Sequence, residues 1–203
     1  DISSLHDKGW QYEKRQYRLF QFSGISGHYQ RKEDRILFDQ KVAWEIRAAD
    51  SRIIQAIAGS LAENGVNYFG KKYVNVGVSV SDKSVETEEL EIRMKTPICV
   101  YETDVFTGKT LFFRPDQENF YRQVNDNFKR KYKAFTGIDP GDGIKILPQN
   151  VSLSDKVITK YKGFYLSGWK GTYFLTGQRK YLDFLYQTGL GSKNSQGFGM
   201  FEF

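Results

Sequence analysis

Apolar and polar positions alternate in short runs along most of this chain, and in three longer stretches the spacing changes to that of a helix. In residues 18–23, Leu19 falls on one face and Phe20 and Phe22 on the other, which predicts a short strand. Residues 24–28, with Gly24 and Gly27, predict a turn, and the return strand starts over residues 35–38. A clearer strand follows, with Val42, Trp44, Ile46 and Ala48 on one face and Lys41, Glu45 and Arg47 on the other. Ser51 is a suitable N-cap for a helix carrying Ile53, Ile54, Ile57 and Leu61 on one side, and Gly65 ends it. Residues 66–80 offer further strand, broken by Gly70 and Gly77.

The polar run 81–89 has the composition of a linker, and beyond it the pattern begins again. Leu90, Ile92 and Met94 alternate with Glu91, Arg93 and Lys95, and Thr107 with Gly108 predicts a hairpin turn leading to Leu111, Phe112 and Phe113. Asp116 is the expected cap of a long helix in which Phe120, Val124, Phe128 and Tyr132 recur at helical spacing. That helix ends at Gly137 behind a basic cluster, Lys129, Arg130, Lys131 and Lys133, expected to be a solvated helix end. Residues 138–156 predict a loop rich in Gly and Pro. Residues 157–175 have strand character, with Lys160, Lys162 and Lys170 among Tyr161, Phe164, Tyr165, Trp169 and Tyr173. A helix over residues 178–188 and a last strand over 200–203 close the chain.

At the other end, Leu5, His6, Asp7, Lys8 and Gly9 have the pattern of the last turn of a helix, with Gly9 as its left-handed cap. Each half then shows strands and two helices in similar order. That predicts an α+β fold of two tandem ferredoxin-like (βαββαβ) units, residues 1–85 and 86–203, the first lacking its N-terminal strand and part of its first helix.

Charge sharpens this picture. With 30 Lys and Arg against 24 Asp and Glu the net charge is +6, and aromatic residues make up 16% of the chain. A basic, aromatic-rich domain suits a polyanion such as single-stranded nucleic acid. Lysines and aromatic rings interleaved on the 157–175 sheet supply charge for phosphates and flat faces for bases, although a half-buried strand with solvated lysines has the same pattern. Cys99 is the sole cysteine and lies in an apolar run, which points to a buried small side chain in a reducing compartment. Two histidines, His6 and His28, with one cysteine do not make a His/Cys zinc site. No run has the length of a membrane-spanning helix.

The most distinctive stretch is residues 189–199. Gly189, Leu190 and Gly191 precede a polar pentapeptide holding Lys193, Asn194 and Ser195, and Gly197, Phe198 and Gly199 follow it. Glycines let the backbone approach a ligand closely, and successive amides with Lys193 could cradle an anion. The loop follows a helix instead of opening one, which is the wrong order for P-loop and dinucleotide motifs.

This tail resembles the C-terminal G-h-G-x5-G-h-G signature (h apolar) of the RAMP superfamily, in particular its CRISPR-associated endoribonucleases. Leu5 to Gly9, the strand of Leu19, Phe20, Gln21, Phe22 and Ser23, and Trp169, Lys170 and Gly171 fit the same resemblance, which spans nearly the whole chain. It implies a cytoplasmic, metal-independent ribonuclease that needs no cofactor and cuts CRISPR repeat RNA into guide RNAs. Attack by a ribose 2′-hydroxyl would leave a 2′,3′-cyclic phosphate and a 5′-hydroxyl. By position His6 matches the family's catalytic histidine, and Arg18 stands where some members carry a catalytic lysine; His28 is the rival. Arg18 could stabilise charge but is a poor proton donor, so Lys8 and Lys14 are substitutes, with Tyr12 and Tyr17 as proton-handling partners. Gly189, Gly191, Lys193, Asn194, Ser195, Gly197 and Gly199, with Lys160, Lys162 and Lys170, are the expected RNA-binding residues. The RNA enters as a single strand or a hairpin; a CRISPR effector complex and a homodimer are further candidate assemblies. The alternatives are a non-catalytic RNA-holding RAMP subunit of such a complex and, last, a small-molecule-binding ferredoxin-like domain.

Overall fold

A computed structural model of the protein describes residues 9–68, 70–74, 76–161 and 163–203. Its first half opens on two short antiparallel strands, β1 (Trp10–Tyr12) and β2 (Arg15–Tyr17), followed by β3 (Phe20–Phe22). Strands β4 (Ser26–Lys32) and β5 (Arg35–Ala43) form a long exposed hairpin, and β6 (Ile46–Ala48) returns to pair antiparallel with β3. Helix α1 (Ser51–Asn64) follows, then the small hairpin of β7 (Val66–Tyr68) and β8 (Lys71–Tyr73).

Several details differ from the sequence expectations, among them that residues 76–80 form no strand. The turn expected at residues 24–28 instead contains the start of β4, and the hairpin reverses at Glu33, whose φ is 55°. The strand expected over 41–48 breaks in two, because the indole of Trp44 donates to the Ser23 carbonyl and the amide of Glu45 donates to the Ser23 hydroxyl. Helix α1 is capped by Asp50 and not Ser51: the Asp50 carboxylate accepts from the amide of Arg52 at 3.0 Å.

The second half contains β9 (Glu89–Met94), the hairpin of β10 (Tyr101–Thr103) and β11 (Thr110–Phe112), and the long helix α2 (Glu118–Thr136). Strand β12 (Ile144–Asn150) follows, then the exposed hairpin of β13 (Lys156–Tyr161) and β14 (Phe164–Trp169). Next come β15 (Thr172–Gly177), helix α3 (Arg179–Thr188) and the short β16 (Phe201–Glu202). Four of these strands make one antiparallel sheet in the order β12, β15, β9, β16. With α2 after β9 and α3 after β15, that is the ferredoxin-like βαββαβ topology. The β10–β11 and β13–β14 hairpins are insertions into it. The fold is thus α+β with ferredoxin-like units in tandem, and in the first half β3, β6 and α1 keep the strand, strand, helix order.

The core explains why the helical spacing was legible. Phe120, Val124, Phe128 and Tyr132 on α2 and Tyr181, Leu182 and Leu185 on α3 are buried with Ile92, Ile144, Ile146, Tyr173 and Leu175 of the sheet. Phe120 stacks on Tyr173 with ring centroids 6.1 Å apart. Strand β12, within the loop expected over 138–156, buries Ile144 and Ile146 and tolerates Pro148 because it is the sheet edge. The polar run 81–89 is no free linker: Val85 is buried, its amide donates to the Asp183 carboxylate at 2.9 Å, and Lys83 lies 3.9 Å from the Phe203 ring centroid.

The two halves meet around Arg47. Its guanidinium donates to the Phe201 carbonyl at 2.7 Å and lies 3.8 Å from the centroid of the Tyr186 ring. Glu45 joins Arg47 to Lys95, which also reaches Glu202 at 3.1 Å. Burial would raise the Glu45 pKa, but hydrogen bonds and charge from Lys95 and Arg47 outweigh it and hold the carboxyl below its ordinary range. The side-chain amide of Gln21, fully buried on β3, donates to the Tyr186 carbonyl at 2.7 Å.

A candidate nucleic-acid interface around the glycine-rich loop

The loop between α3 and β16 is pinned to the protein along its length. The amide of Leu190 donates to Gly199, that of Ser192 to the Cys99 carbonyl, and that of Gly199 to the Pro97 carbonyl, at 2.8–2.9 Å. The amides of Gln196 and Gly197 donate back to Lys193 and Asn194 within a short 3-10 turn. Five loop amides are therefore committed to the chain's own carbonyls, not to an open anion cradle.

All four loop glycines have positive φ, from 66° to 85°. What stands close to them is protein. A Cβ on Gly199 would collide with the Leu190 carbonyl oxygen, and one on Gly191 would lie 2.7 Å from the Cys99 carbonyl oxygen. The glycines are required because protein atoms crowd each position: the Gln21 and Asn194 side chains at Gly189, the Cys99 backbone at Gly191, the Phe22 ring at Gly197 and the Leu190 backbone at Gly199.

Asn194 is turned inward and buried. Its side-chain nitrogen donates to the carbonyls of Leu190 and Phe198, both at 3.0 Å, and its oxygen accepts from the Lys131 ammonium at 3.1 Å. Lys131 also donates to the Gly189 carbonyl at 2.6 Å. The expectation of a wholly solvated basic helix end is thus incorrect for Lys131, which is only 3% exposed and lies on the same face of α2 as Val124 and Phe128. Burial pulls its pKa down to about 7. Sequence spacing held this signal, since residue 131 follows 124 by seven and 127 by four.

Lys193 and Ser195 are half-buried. Lys193 has φ 65°, and its ammonium stands 5.6 Å from the centroid of the Tyr101 ring. Ser195 borders an apolar groove of about 260 Å³ with Phe20, Phe22, Trp44 and Ile53. Behind Lys193, burial pushes the Cys99 thiol up to about 12, so Cys99 is a core side chain and no nucleophile.

A backbone ladder links the loop to the basic hairpin. Ile98 and Trp169 exchange hydrogen bonds at 2.8 and 3.0 Å, and the next residue, Cys99, pairs with Ser192. Trp169 ends β14, so the β13–β14 hairpin springs from the same platform. Lys160 is exposed there, 5.8 Å from the Tyr165 ring centroid, and Phe164 and Tyr165 are largely open to solvent. Lys170 is exposed at the hairpin's base, beside a polar cleft of about 440 Å³ bordered by Arg93, Asn150, Asp155 and Thr172. Lys162 lies outside the described residues.

His6 also lies outside them. Gly9, three residues on, has φ 60° and packs on the Tyr17 carbonyl; a Cβ there would be 3.5 Å from the amide nitrogen of Arg18. The chain three residues beyond His6 therefore runs beside exposed Arg18. Tyr17 is buried, and Tyr12 lies with its ring centroid 5.5 Å from the Lys133 ammonium. His28 stands on β4 and not in a turn, with Nδ1 2.8 Å from the Asp39 carboxylate on the exposed hairpin. Among the described residues no three His, Cys, Asp or Glu side chains gather as metal ligands. No helix among them is long and apolar enough to cross a membrane.

The family model described as CRISPR associated protein Cas6, C-terminal, matches residues 80–203, and the chain belongs to that family. It is 26% identical over 200 residues to the CRISPR-associated endoribonuclease Cas6 1 of Methanocaldococcus jannaschii, an alignment covering 93% of this chain and 74% of the relative. Its fold is similar to that of a Cas6-related protein from Pyrococcus furiosus (TM-score 0.77, 17% identity, 91% of this chain and 77% of that one). Its fold is also similar to that of a RAMP protein described as binding different RNA substrates (TM-score 0.74, 20% identity, 91% of this chain and 78% of that one).

Proposed function

We propose that this chain is an endoribonuclease that cuts CRISPR repeat RNA, without a metal ion, by intramolecular transesterification. The observation that carries this is the Cas6 family match, which contains the whole pinned loop and its supporting sheet. The relative named a CRISPR-associated endoribonuclease, aligned along 93% of the chain, supports the same activity. Residues 1–85 and 86–203 are its two units.

In this reaction a base takes the proton of the ribose 2′-hydroxyl, the 2′-oxygen bonds to phosphorus, and the bond from phosphorus to the 5′-oxygen breaks. That oxygen leaves with a proton from an acid, giving a 2′,3′-cyclic phosphate and a 5′-hydroxyl. A histidine, with an ordinary pKa of about 6.5, can serve either role near neutral pH. We assign that work to His6. Arg18, whose backbone amide lies beside Gly9, supplies a fixed positive charge for the oxygens of the pentacoordinate phosphorus.

RNA binding falls to Lys193 and Ser195 on the loop, the exposed lysines Lys160 and Lys170, and Lys162. Gly189, Gly191, Gly197, Gly199 and Asn194 contribute by fixing the loop's shape. The test is incubation of labelled repeat RNA with the protein in excess EDTA. A single defined cut supports the nuclease; tight binding with no cut would favour an RNA-holding subunit.

A further inference from the structure

A lysine at an inward position of a helix is unfavourable unless its ammonium finds acceptors, because desolvation penalises the charge. Lys131 finds them in the signature loop: the Gly189 carbonyl at 2.6 Å and the Asn194 side-chain oxygen at 3.1 Å. Asn194 carries the connection onward to Leu190 and Phe198, the apolar residues of the two Gly-apolar-Gly triplets. One ammonium on α2 thus fixes the loop's first carbonyl directly and both triplets through a single side chain. Asn194 stands between Lys193 and Ser195, so the inward hold on Asn194 sets the backbone from which those two neighbours project. A methionine at 131 would fill the same volume, but it would leave these two oxygens without their donor.

We propose that Lys131 is a positioning residue for RNA binding: its ammonium latches Gly189 and Asn194 and thereby places Lys193 for contact with a phosphate. The proposal rests on the reading that Lys193 meets RNA. It deepens that reading by naming the residue, distant in sequence and outside the loop, on which the contact depends.

The experiment combines hydrogen–deuterium exchange of the free protein with a double-mutant cycle on repeat-RNA binding, using Lys131→Met, Lys193→Ala and the double variant. The latch predicts faster exchange over residues 189–199 in Lys131→Met, with the β9 and β15 amides still protected. It also predicts that Lys193→Ala weakens binding in the parent but much less in the Lys131→Met background, a coupling of about tenfold for residues acting as one unit. Unchanged loop exchange, or strictly additive losses with Lys193→Ala effective in both backgrounds, overturns the latch while leaving the RNA contact standing. No effect of Lys193→Ala in either background overturns the contact itself, and the positioning role with it. Should Lys131→Met fail to fold, Asn194→Ala cuts the latch from the loop side and is read by the same exchange and the same cycle.

Discussion

Arg47 donates to the carbonyl oxygen of Phe201 at 2.7 Å, joining the strand before α1 to the last strand of the chain. With Glu45, Lys95 and Tyr186 it forms a charged brace at the seam between the two halves. Replacing Arg47 by Met removes a donor from a buried carbonyl, which destabilises by about 1.5–3 kcal/mol. Equilibrium urea unfolding reads that loss.

The brace makes a pH prediction. The Glu45 carboxyl is held below its ordinary value of 4.5 in the folded protein. Its contribution is therefore complete above that value and is lost as acid protonates it in the folded state. Because the carboxyl is more than a third exposed, screening limits the contribution to about 1 kcal/mol or less. Glu45→Gln should be less stable than the parent at pH 7, and the gap between the two unfolding midpoints should narrow as the pH falls below 4.5 and the folded carboxyl takes up its proton. A gap that persists unchanged in acid would show that the ion pairs contribute nothing.

The loop glycines should differ from glycines elsewhere in a graded way. Gly108 has φ 68° with open space around it, so Gly108→Ala costs only backbone strain, about 1–2 kcal/mol. Gly199→Ala adds a collision with the Leu190 carbonyl and should lower stability clearly more. Gly191→Val should damage the loop in the same way against Cys99. Equal thermal shifts for Gly108→Ala and Gly199→Ala would mean that the loop is not packed as described.

Lys193→Ala is expected to weaken repeat-RNA binding and to flatten its salt dependence by about one phosphate contact, a change of about 0.7 in the log–log slope for single-stranded RNA. Weaker binding with an unchanged slope would point to a role through the Tyr101 ring and not through phosphate.

The two histidines are separable. His28 lies on the exposed β4–β5 hairpin beside Asp39, so His28→Ala should retain near-parental cleavage, whereas His6→Ala should lose at least about a hundredfold. Single-turnover cleavage of repeat RNA distinguishes them, and full activity in His6→Ala would move the chemistry elsewhere.

The second ferredoxin-like unit was legible because its signals are local. Leu90, Ile92 and Met94 alternate, and Phe120 to Tyr132 repeat at helical spacing against a single sheet. Strand β12 was hidden by its Gly-rich and Pro-containing setting, which an edge position permits. Caps shifted by one residue, to Asp50 and Gln117, because cap choice depends on backbone geometry that neighbouring polar residues do not distinguish. In the site, the glycine-rich loop was recognisable, but its backbone pairing to Cys99 and the reason for the glycines were not: which atoms stand against the loop is a matter of tertiary packing. Lys131 sits in a run of basic residues that resembles a solvated helix end, although its position matches the buried face of α2.

The most direct test is a repeat RNA carrying one 2′-deoxy substitution at the nucleotide on the 5′ side of the mapped cut. The expected result is binding equal to that of the all-ribose RNA with no cleavage in EDTA, while the all-ribose RNA yields a 2′,3′-cyclic phosphate end. Cleavage of the substituted RNA at the same bond and rate would contradict transesterification through the 2′-hydroxyl.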